Sequence, residues 1–265
     1  MGHCYHLWIW LPYPDLPHSC VDYTQRIQYN HSTLIFYSSQ ILSSKHMAQV
    51  VIFGTELVAE LAHYYLVNDS PHTVVAFTVN KEYIKESTFC GLPVVPFEEI
   101  TTLYPPTEFA FFVPLSERKM NAIRAKVYTE VKELGYSFIS YISSKATVLT
   151  DQIGENCFIL EDNTIQPFVK IGNDVVLWSG NHIGHHSTIH DHVYFTSHVV
   201  LSGRCEVGAY SFFGVNATIR DGCKIGEGTL VAMGANITRP KTDQWTIWKG
   251  NPAVKSEVSS KDINL

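Results

Sequence analysis

The sequence contains no apolar run approaching the roughly 18 residues of a membrane-spanning helix, so none is expected. It also has no long Lys/Arg run, and its formal net charge is −6. Both features argue against nucleic acid or an anionic membrane surface as the main partner. The start lacks the basic n-region of a secretory signal, and a cytoplasmic protein is expected. Cysteine is scarce, with six in 265 residues, and Cys157, Cys205 and Cys223 occupy small-residue positions of a repeat. All six are expected to be free thiols of a reducing compartment. Residues 1–46 show no sustained period, although they are rich in aromatics, His and Ser (Tyr5, Trp8, Trp10, Tyr13, Tyr23, Tyr29, Tyr37). Two readings of this segment stay open: an extension without function, or an added substrate or assembly arm.

What the chain does contain is a period of six. Ile153, Ile159, Ile165, Ile171, Leu177, Ile183, Ile189, Phe195, Leu201, Val207, Phe213, Ile219, Ile225, Val231 and Ile237 form one column. Two residues before many of its members stands a small residue, as at Cys157, Ser187, Cys205, Ser211, Ala217, Cys223, Thr229 and Ala235. Gly follows the column residue at 154, 172, 184, 208, 214 and 226. Six matches neither the 3.6 period of a helix nor the 2 of a simple strand. It matches a parallel β-helix built of short strands and corners. Three units close a triangular coil, so residues 18 apart stack at the strand spacing of ~4.8 Å, giving about five coils.

Lys249-Gly250-Asn251-Pro252-Ala253 follows the last hexads. With this segment, the column resembles the left-handed β-helix of the hexapeptide-repeat acyltransferases. An α/β domain ahead of such a helix resembles, within that group, the bacterial sugar-nucleotide acetyltransferases of the sialic-acid O-acetyltransferase type. The resemblance covers about residues 47–255. It implies acetyl-CoA as co-substrate, no metal, and direct transfer to a nucleotide-activated amino or deoxy sugar for surface glycans. It also implies a homotrimer with the acyl-CoA groove between neighbouring β-helices. A non-catalytic β-helix scaffold or sugar-binding subunit is the alternative from another class.

Between the extension and the coils the pattern is β-α-β. Gln49–Phe53 reads as a buried strand, and Leu57, Val58, Leu61, Ala62, Tyr65 and Leu66 as a helical face. Thr73–Val79, the segment opened by Gly91-Leu92-Pro93-Val94-Val95, Glu108–Leu115 and Ser137–Ile142 read as further strands. A small helix is expected over Phe97–Leu103. Met120, Ile123, Val127, Val131 and Leu134 mark a long amphipathic helix stopped by Gly135. The expected division is therefore an extension (1–46), a Rossmann-like sugar-nucleotide-binding domain (47–144), the β-helix (145–255) and a tail (256–265). Ligands of such an α/β sheet bind at the carboxyl ends of its strands. The resemblance thus places Gly54 and Thr55 at the nucleotide turn and Asn80 and Lys81 at the nucleobase. One glycine makes a poor phosphate cradle, and Glu56 would repel phosphate.

Six histidines cluster: His182, His185, His186, His190, His192 and His198. Some can simply decorate outer coil faces, as expected for His190 and His192. A shared metal would need ligands stacked on separate coils, yet no two of the six are 18 apart. The third reading is a general base, since a histidine of ordinary pKa ~6.5 accepts a proton near neutrality. By resemblance, Ile183-Gly184-His185-His186-Ser187 puts His185 on the family's catalytic histidine. His186 then stands where the family carries an acid. Tyr194 corresponds to the family's second histidine, beside the acetyl-CoA thioester. Gly203, Val215 and Met233 correspond to backbone positions along the pantetheine arm. Lys241, Trp245 and Lys249 fall where the CoA adenine and phosphates often rest.

Overall fold

The computed structural model describes residues 47–263; the segment 1–46 and the last two residues lie outside the described residues. The apolar runs at 50–53 and 74–79 cannot face water on either side, and they form the middle of a sheet. Its strands are β1 (Gln49–Phe53), β2 (Thr73–Val79), β3 (Thr88–Phe89), β4 (Leu92–Pro96), β5 (Phe109–Phe112) and β6 (Ser137–Phe138). Their order is β3-β4-β2-β1-β5-β6, parallel throughout except for the β3–β4 hairpin. Helix α1 (Leu57–Asp69) buries Ala59, Ala62 and Leu66, and leaves Leu57 exposed.

The second long helix departs from its expected stripe. The short α2 (Ile100–Leu103) is followed by α3 (Ala122–Glu133), which buries Arg124, Ala125, Val127, Tyr128 and Val131. Ile123 and Leu134, members of the expected stripe, are exposed. The buried arc is rotated because α3 lies between the sheet and the coils and must satisfy both. Met120 precedes the helix, in a turn where Lys119, Met120 and Asn121 all have left-handed φ values of 53°, 53° and 66°. Three such residues in succession cost on the order of 1–2 kcal/mol each. The coils hold the turn: Asn121 Nδ2 donates to Tyr210 O at 3.0 Å, and Met120 packs with Leu230 and Ile247.

From Tyr141 onward the chain winds as a parallel β-helix of triangular section. Its column residues and small corner residues are almost all buried in one core. The segment expected as one strand over 137–142 splits. Ser137–Phe138 stays in the α/β sheet, while Tyr141–Ile142 pairs with Phe158–Ile159 and begins the coils. Three sheets form the prism. The first stacks Tyr141–Ile142, Phe158–Ile159, Val176–Leu177, Tyr194–Phe195, Phe212–Phe213, Leu230–Val231 and Thr246–Lys249. The second stacks Thr147–Val148, Thr164–Ile165, His182–Ile183, Val200–Leu201, Thr218–Ile219 and Asn236–Ile237. The third stacks Lys170–Ile171, Thr188–Ile189, Glu206–Val207 and Lys224–Ile225.

The corners repeat as regularly as the strands. Three residues before each column position from Ile159 onward, the backbone is left-handed, as at Asn156, Asp162, Asp174, His186, His192, His198 and Asn216. Asn, Asp and His tolerate that conformation better than most residues. The corner thiols pack as small hydrophobes. Cys157, Cys205 and Cys223 are free, and burial pushes Cys157 up to about 12 and Cys205 up to about 11. The last coil is closed by Val254–Ser259, antiparallel to Thr246–Lys249, and by a turn at Ser260–Asp262. Part of the expected tail therefore belongs to the cap; Ser260 is buried and donates to Gly228 O at 2.5 Å.

The α/β domain covers the first face of the prism and belongs to one compact unit with it. The outward residues Tyr141, Phe158, Val176 and Tyr194 share a core with Leu66, Phe77 and Phe112. At the edge of this interface lies a fully buried ion pair, Arg124 Nε to Asp174 Oδ1 at 3.1 Å. Arg124 also donates to Asp174 O (3.1 Å), His192 O (3.0 Å) and Asn121 Oδ1 (3.2 Å). The other Asp174 oxygen meets His192 Nδ1 at 2.8 Å. Asn156 donates to Asp174 Oδ1 and accepts from Val113 N, both at 2.8 Å. Asp69 at the end of α1 adds a second tie, accepting from Tyr141 Oη (2.8 Å), Ser143 Oγ (3.1 Å) and Ser144 N (2.9 Å).

Candidate active site

His185 and His186 stand on the open edge between the second and third faces, and both are exposed. The strand His182–Ile183 delivers them, and the left-handed φ of 57° at His186 turns the chain towards Thr188–Ile189. Gly184 must be glycine for space, because a side chain there would strike the backbone of Ser202 and Gly203 on the next coil. His185 N donates to Gln166 Oε1 at 2.8 Å, and His185 Nδ1 lies 3.1 Å from His186 Nδ1. One of those nitrogens must carry the proton and the other accept it. His186 also packs on Phe168, tilted by 38° with ring centroids 4.6 Å apart. The imidazole of His185 is thus held through Nδ1, and its Nε2 points to the position where Gly203 has no side chain.

The other four histidines separate. His182 is half-buried on the second face, and His190 faces Glu206 at 3.4 Å. His198 lies over Gly180. His192, expected as surface decoration, is instead mostly buried against Asp174, Tyr128 and Tyr210. The docked α/β domain covers it. Among the described residues no group of three or more His, Cys, Asp or Glu side chains is placed to hold a metal ion.

The sequence-derived cofactor positions lie on different parts of the prism. Gly203 shares the edge of His185. Val215 and Met233 lie on the edge between the first and second faces, where Met233 is 74% exposed. Tyr194 lies on the covered face, 3% exposed. Its hydroxyl accepts from Trp178 Nε1 at 2.5 Å, and Arg124 sits over its ring at 5.4 Å. Burial pushes its hydroxyl well above the usual tyrosine range. Trp245 is engaged by Lys261, whose Nζ lies 4.2 Å from the ring centroid. Within one chain Gly203 lies beside His185, while Tyr194, Val215 and Met233 do not.

The α/β domain offers its own pocket where β1 ends, lined by Thr55, Lys85, Glu86, Thr88, Phe89 and Val94. Gly54 turns the chain there with φ +118°, and its N donates to Thr78 O at 2.8 Å. Arg118, from the loop after β5, comes within 3.7 Å of Glu56 and offsets its charge. Lys81 N donates to both oxygens of Glu98, at 3.3 and 3.0 Å, and Asn80 Nδ2 donates to Oε1 at 3.4 Å. Lys85, Phe89 and Arg118 were not singled out from sequence, because only the fold brings their loops to the β1 turn.

Residues 152–184 and 169–203 match the bacterial transferase hexapeptide (six repeats) model. No curated protein matches the sequence. Solved structures share the architecture, among them the following three. A mutant perosamine N-acetyltransferase from Caulobacter crescentus, in complex with CoA and GDP-perosamine, is 20% identical with a TM-score of 0.68, covering 82% of this chain and 100% of its own. The acetyltransferase domain of PglB from Neisseria gonorrhoeae, in complex with acetyl coenzyme A, is 18% identical with a TM-score of 0.71, covering 80% and 100%. WeeI from Acinetobacter baumannii is 20% identical with a TM-score of 0.66, covering 78% and 99%. Residues 152–203 thus carry the hexapeptide repeat. The chain's fold is a Rossmann-like domain followed by a left-handed parallel β-helix, shared by these structures over nearly their whole length.

Proposed function

We propose that this protein transfers an acetyl group from acetyl-CoA to a sugar carried on a nucleotide, with His185 as general base. The observation that carries the reading is the exposed His185 imidazole, held through Nδ1 against His186 with Nε2 directed into an open edge. Nε2 takes the proton of the acceptor amine or hydroxyl as that atom attacks the thioester carbonyl. The new bond to carbon forms, the C–S bond breaks, and the departing CoA thiolate takes up a proton. A positioned base of this kind contributes roughly 10²–10⁴ in rate.

The nucleotide is read at the β1 turn, with Gly54 and Thr55 near its phosphates, Lys85 and Arg118 supplying positive charge, and Asn80 and Lys81 bordering the base. The acyl-CoA groove is read between two copies of the chain. Gly203 beside His185 comes from one copy, and Val215 and Met233 from the open edge of another, which makes a homotrimer the working assembly. Tyr194 acts in this scheme from behind, through the packing of the covered face. The structural neighbours described as CoA, acetyl-CoA and GDP-perosamine complexes support the reading. The first acceptors to try are nucleotide-linked amino sugars.

Two observations favour the rival reading, a sugar-binding scaffold. Glu98 occupies the amide of Lys81, and Tyr194 is buried. Purified protein with acetyl-CoA and GDP-, UDP- and dTDP-linked amino sugars separates the two. The enzyme releases CoA thiol and adds one acetyl mass to an acceptor. The scaffold binds an acceptor by calorimetry and releases no thiol with any of them.

A further inference from the structure

The third residue of each six-residue unit, two after the column position, forms its own line along the coils: Glu155, Glu161, Pro167, Asn173, Ser179, His185, Asp191, Ser197, Gly203, Ala209, Val215, Asp221, Glu227, Met233, Arg239. Gly203 is the single glycine in it. Its φ lies outside the left-handed region, so backbone conformation does not require glycine there. Space does. A Cβ at 203 would lie 2.7 Å from His185 Nε2, 2.8 Å from its Cε1 and 3.1 Å from Asp221 Oδ1. His185, Gly203 and Asp221 are successive members of one 18-residue stack. The missing side chain therefore opens a gap with imidazole on one side and carboxylate on the other, within about 6 Å of each other.

We propose that Asp221 is the carboxylate this chain uses to stabilise the imidazolium of His185, acting across the gap at Gly203. The inference rests on His185 being the base. It accounts for the histidine at 186, where an acid would otherwise raise the basicity of the base. His186 holds Nδ1, while the negative charge arrives from two coils away. Asp221 is a positioning residue in this scheme, and it is itself set by Arg204, which pairs with it from the intervening coil through NH2 and through Nε at 3.4 Å. The charged and titratable groups facing the gap are His186 on the same corner, Arg204 and Asp221 on the following coils, and Arg220 beside Asp221. Asp221 is held below the ordinary carboxylate range, first by the hydrogen bond from Arg204 and, in smaller part, by the charges of Arg204 and His185. It is therefore ionised at neutral pH.

The test reads His185 without any acceptor, so its outcome does not depend on the acyltransferase reading. Diethyl pyrocarbonate modifies neutral imidazole, and fragment-ion mass spectrometry of the modified full-length protein assigns the reaction to His185. A carboxylate at about 6 Å in a solvent-exposed setting raises an imidazole midpoint by about half to one pH unit. Asp221→Asn should lower the His185 midpoint by that amount and leave thermal stability unchanged. The same fall should appear when Asp221→Asn is made in an Arg204→Gln background, which removes the guanidinium as the cause. Asp221→Glu should restore part of the midpoint. A midpoint that does not move with Asp221→Asn overturns the proposal, as does a fall that vanishes in the Arg204→Gln background. If Asp221→Asn loses stability, the comparison is made at equal folded fraction between Arg204→Gln and the double variant, where a fall supports the proposal and an unmoved midpoint overturns it.

Discussion

His186 and His192 occupy the same position in successive hexads. Each sits three residues before a column residue with a left-handed backbone, φ 57° and 64°. Their surroundings are opposite. His186 stands exposed beside His185, packed on Phe168. His192 is mostly buried beneath the α/β domain, with its Nδ1 on a carboxylate that also binds a fully buried arginine. The repeat fixes where each side chain points, and the docked domain decides whether it is left for chemistry or spent on holding the molecule together. A histidine in a periodic scaffold therefore takes its role from the face it lands on.

That contrast can be broken most severely from inside the prism, which both regions share. Ile189 is 1% exposed, and Ile189→Asp buries an unpaired carboxylate at a cost of several kcal/mol, comparable with the whole stability of a domain. The variant should be insoluble or unfolded by circular dichroism. Next comes the docked side alone. Asp174→Ala leaves the buried Arg124 charge without its carboxylate, which costs about 3–5 kcal/mol and should lower the denaturant midpoint by that equivalent. Smaller still is the tie at Asp69, whose carboxyl is held below its usual range; burial pulls upward, and the hydrogen bonds from Ser144, Tyr141 and Ser143 outweigh it. A depressed folded value stabilises fully above the unfolded pKa of ~3.9 and is lost as pH falls through the folded value. Wild type should therefore lose more stability than Asp69→Asn on acidification below pH 4, read as a larger fall in denaturant midpoint. On the open third face, Lys224→Gln removes an exposed pair with Glu206 at 3.3 Å and should change stability by less than about 0.5 kcal/mol.

The coils were legible because their period repeats fifteen times, so no single residue had to carry the inference. The same column, read one residue earlier, also tells which face is covered. Phe158, Val176, Tyr194, Phe212 and Leu230 are apolar or aromatic at 18-residue spacing, while Thr164, His182, Val200, Thr218 and Asn236, and Lys170, Thr188, Glu206 and Lys224, are mostly polar. That second signal was available and places Tyr194 on the docked side. The Arg124 cluster was not available. Its partners Asp174 and His192 lie 50 and 68 residues away, and an arginine on an amphipathic helix reads as solvated until the third dimension closes over it. The edge carrying His185 was found by resemblance, but the gap at Gly203 needed only the line of third residues in each unit.

The most direct measurement compares His185→Ala with His192→Ala in steady-state acetyl transfer to a nucleotide-linked amino sugar, with thermal melting on the same samples. With His185 as the base, His185→Ala should lose roughly 10²–10⁴ in kcat and melt as wild type. His192→Ala should melt at lower temperature while its folded fraction keeps a kcat within a few-fold of wild type. The reverse pattern, with His192→Ala stable and inactive and His185→Ala fully active, would contradict the assignment of both histidines.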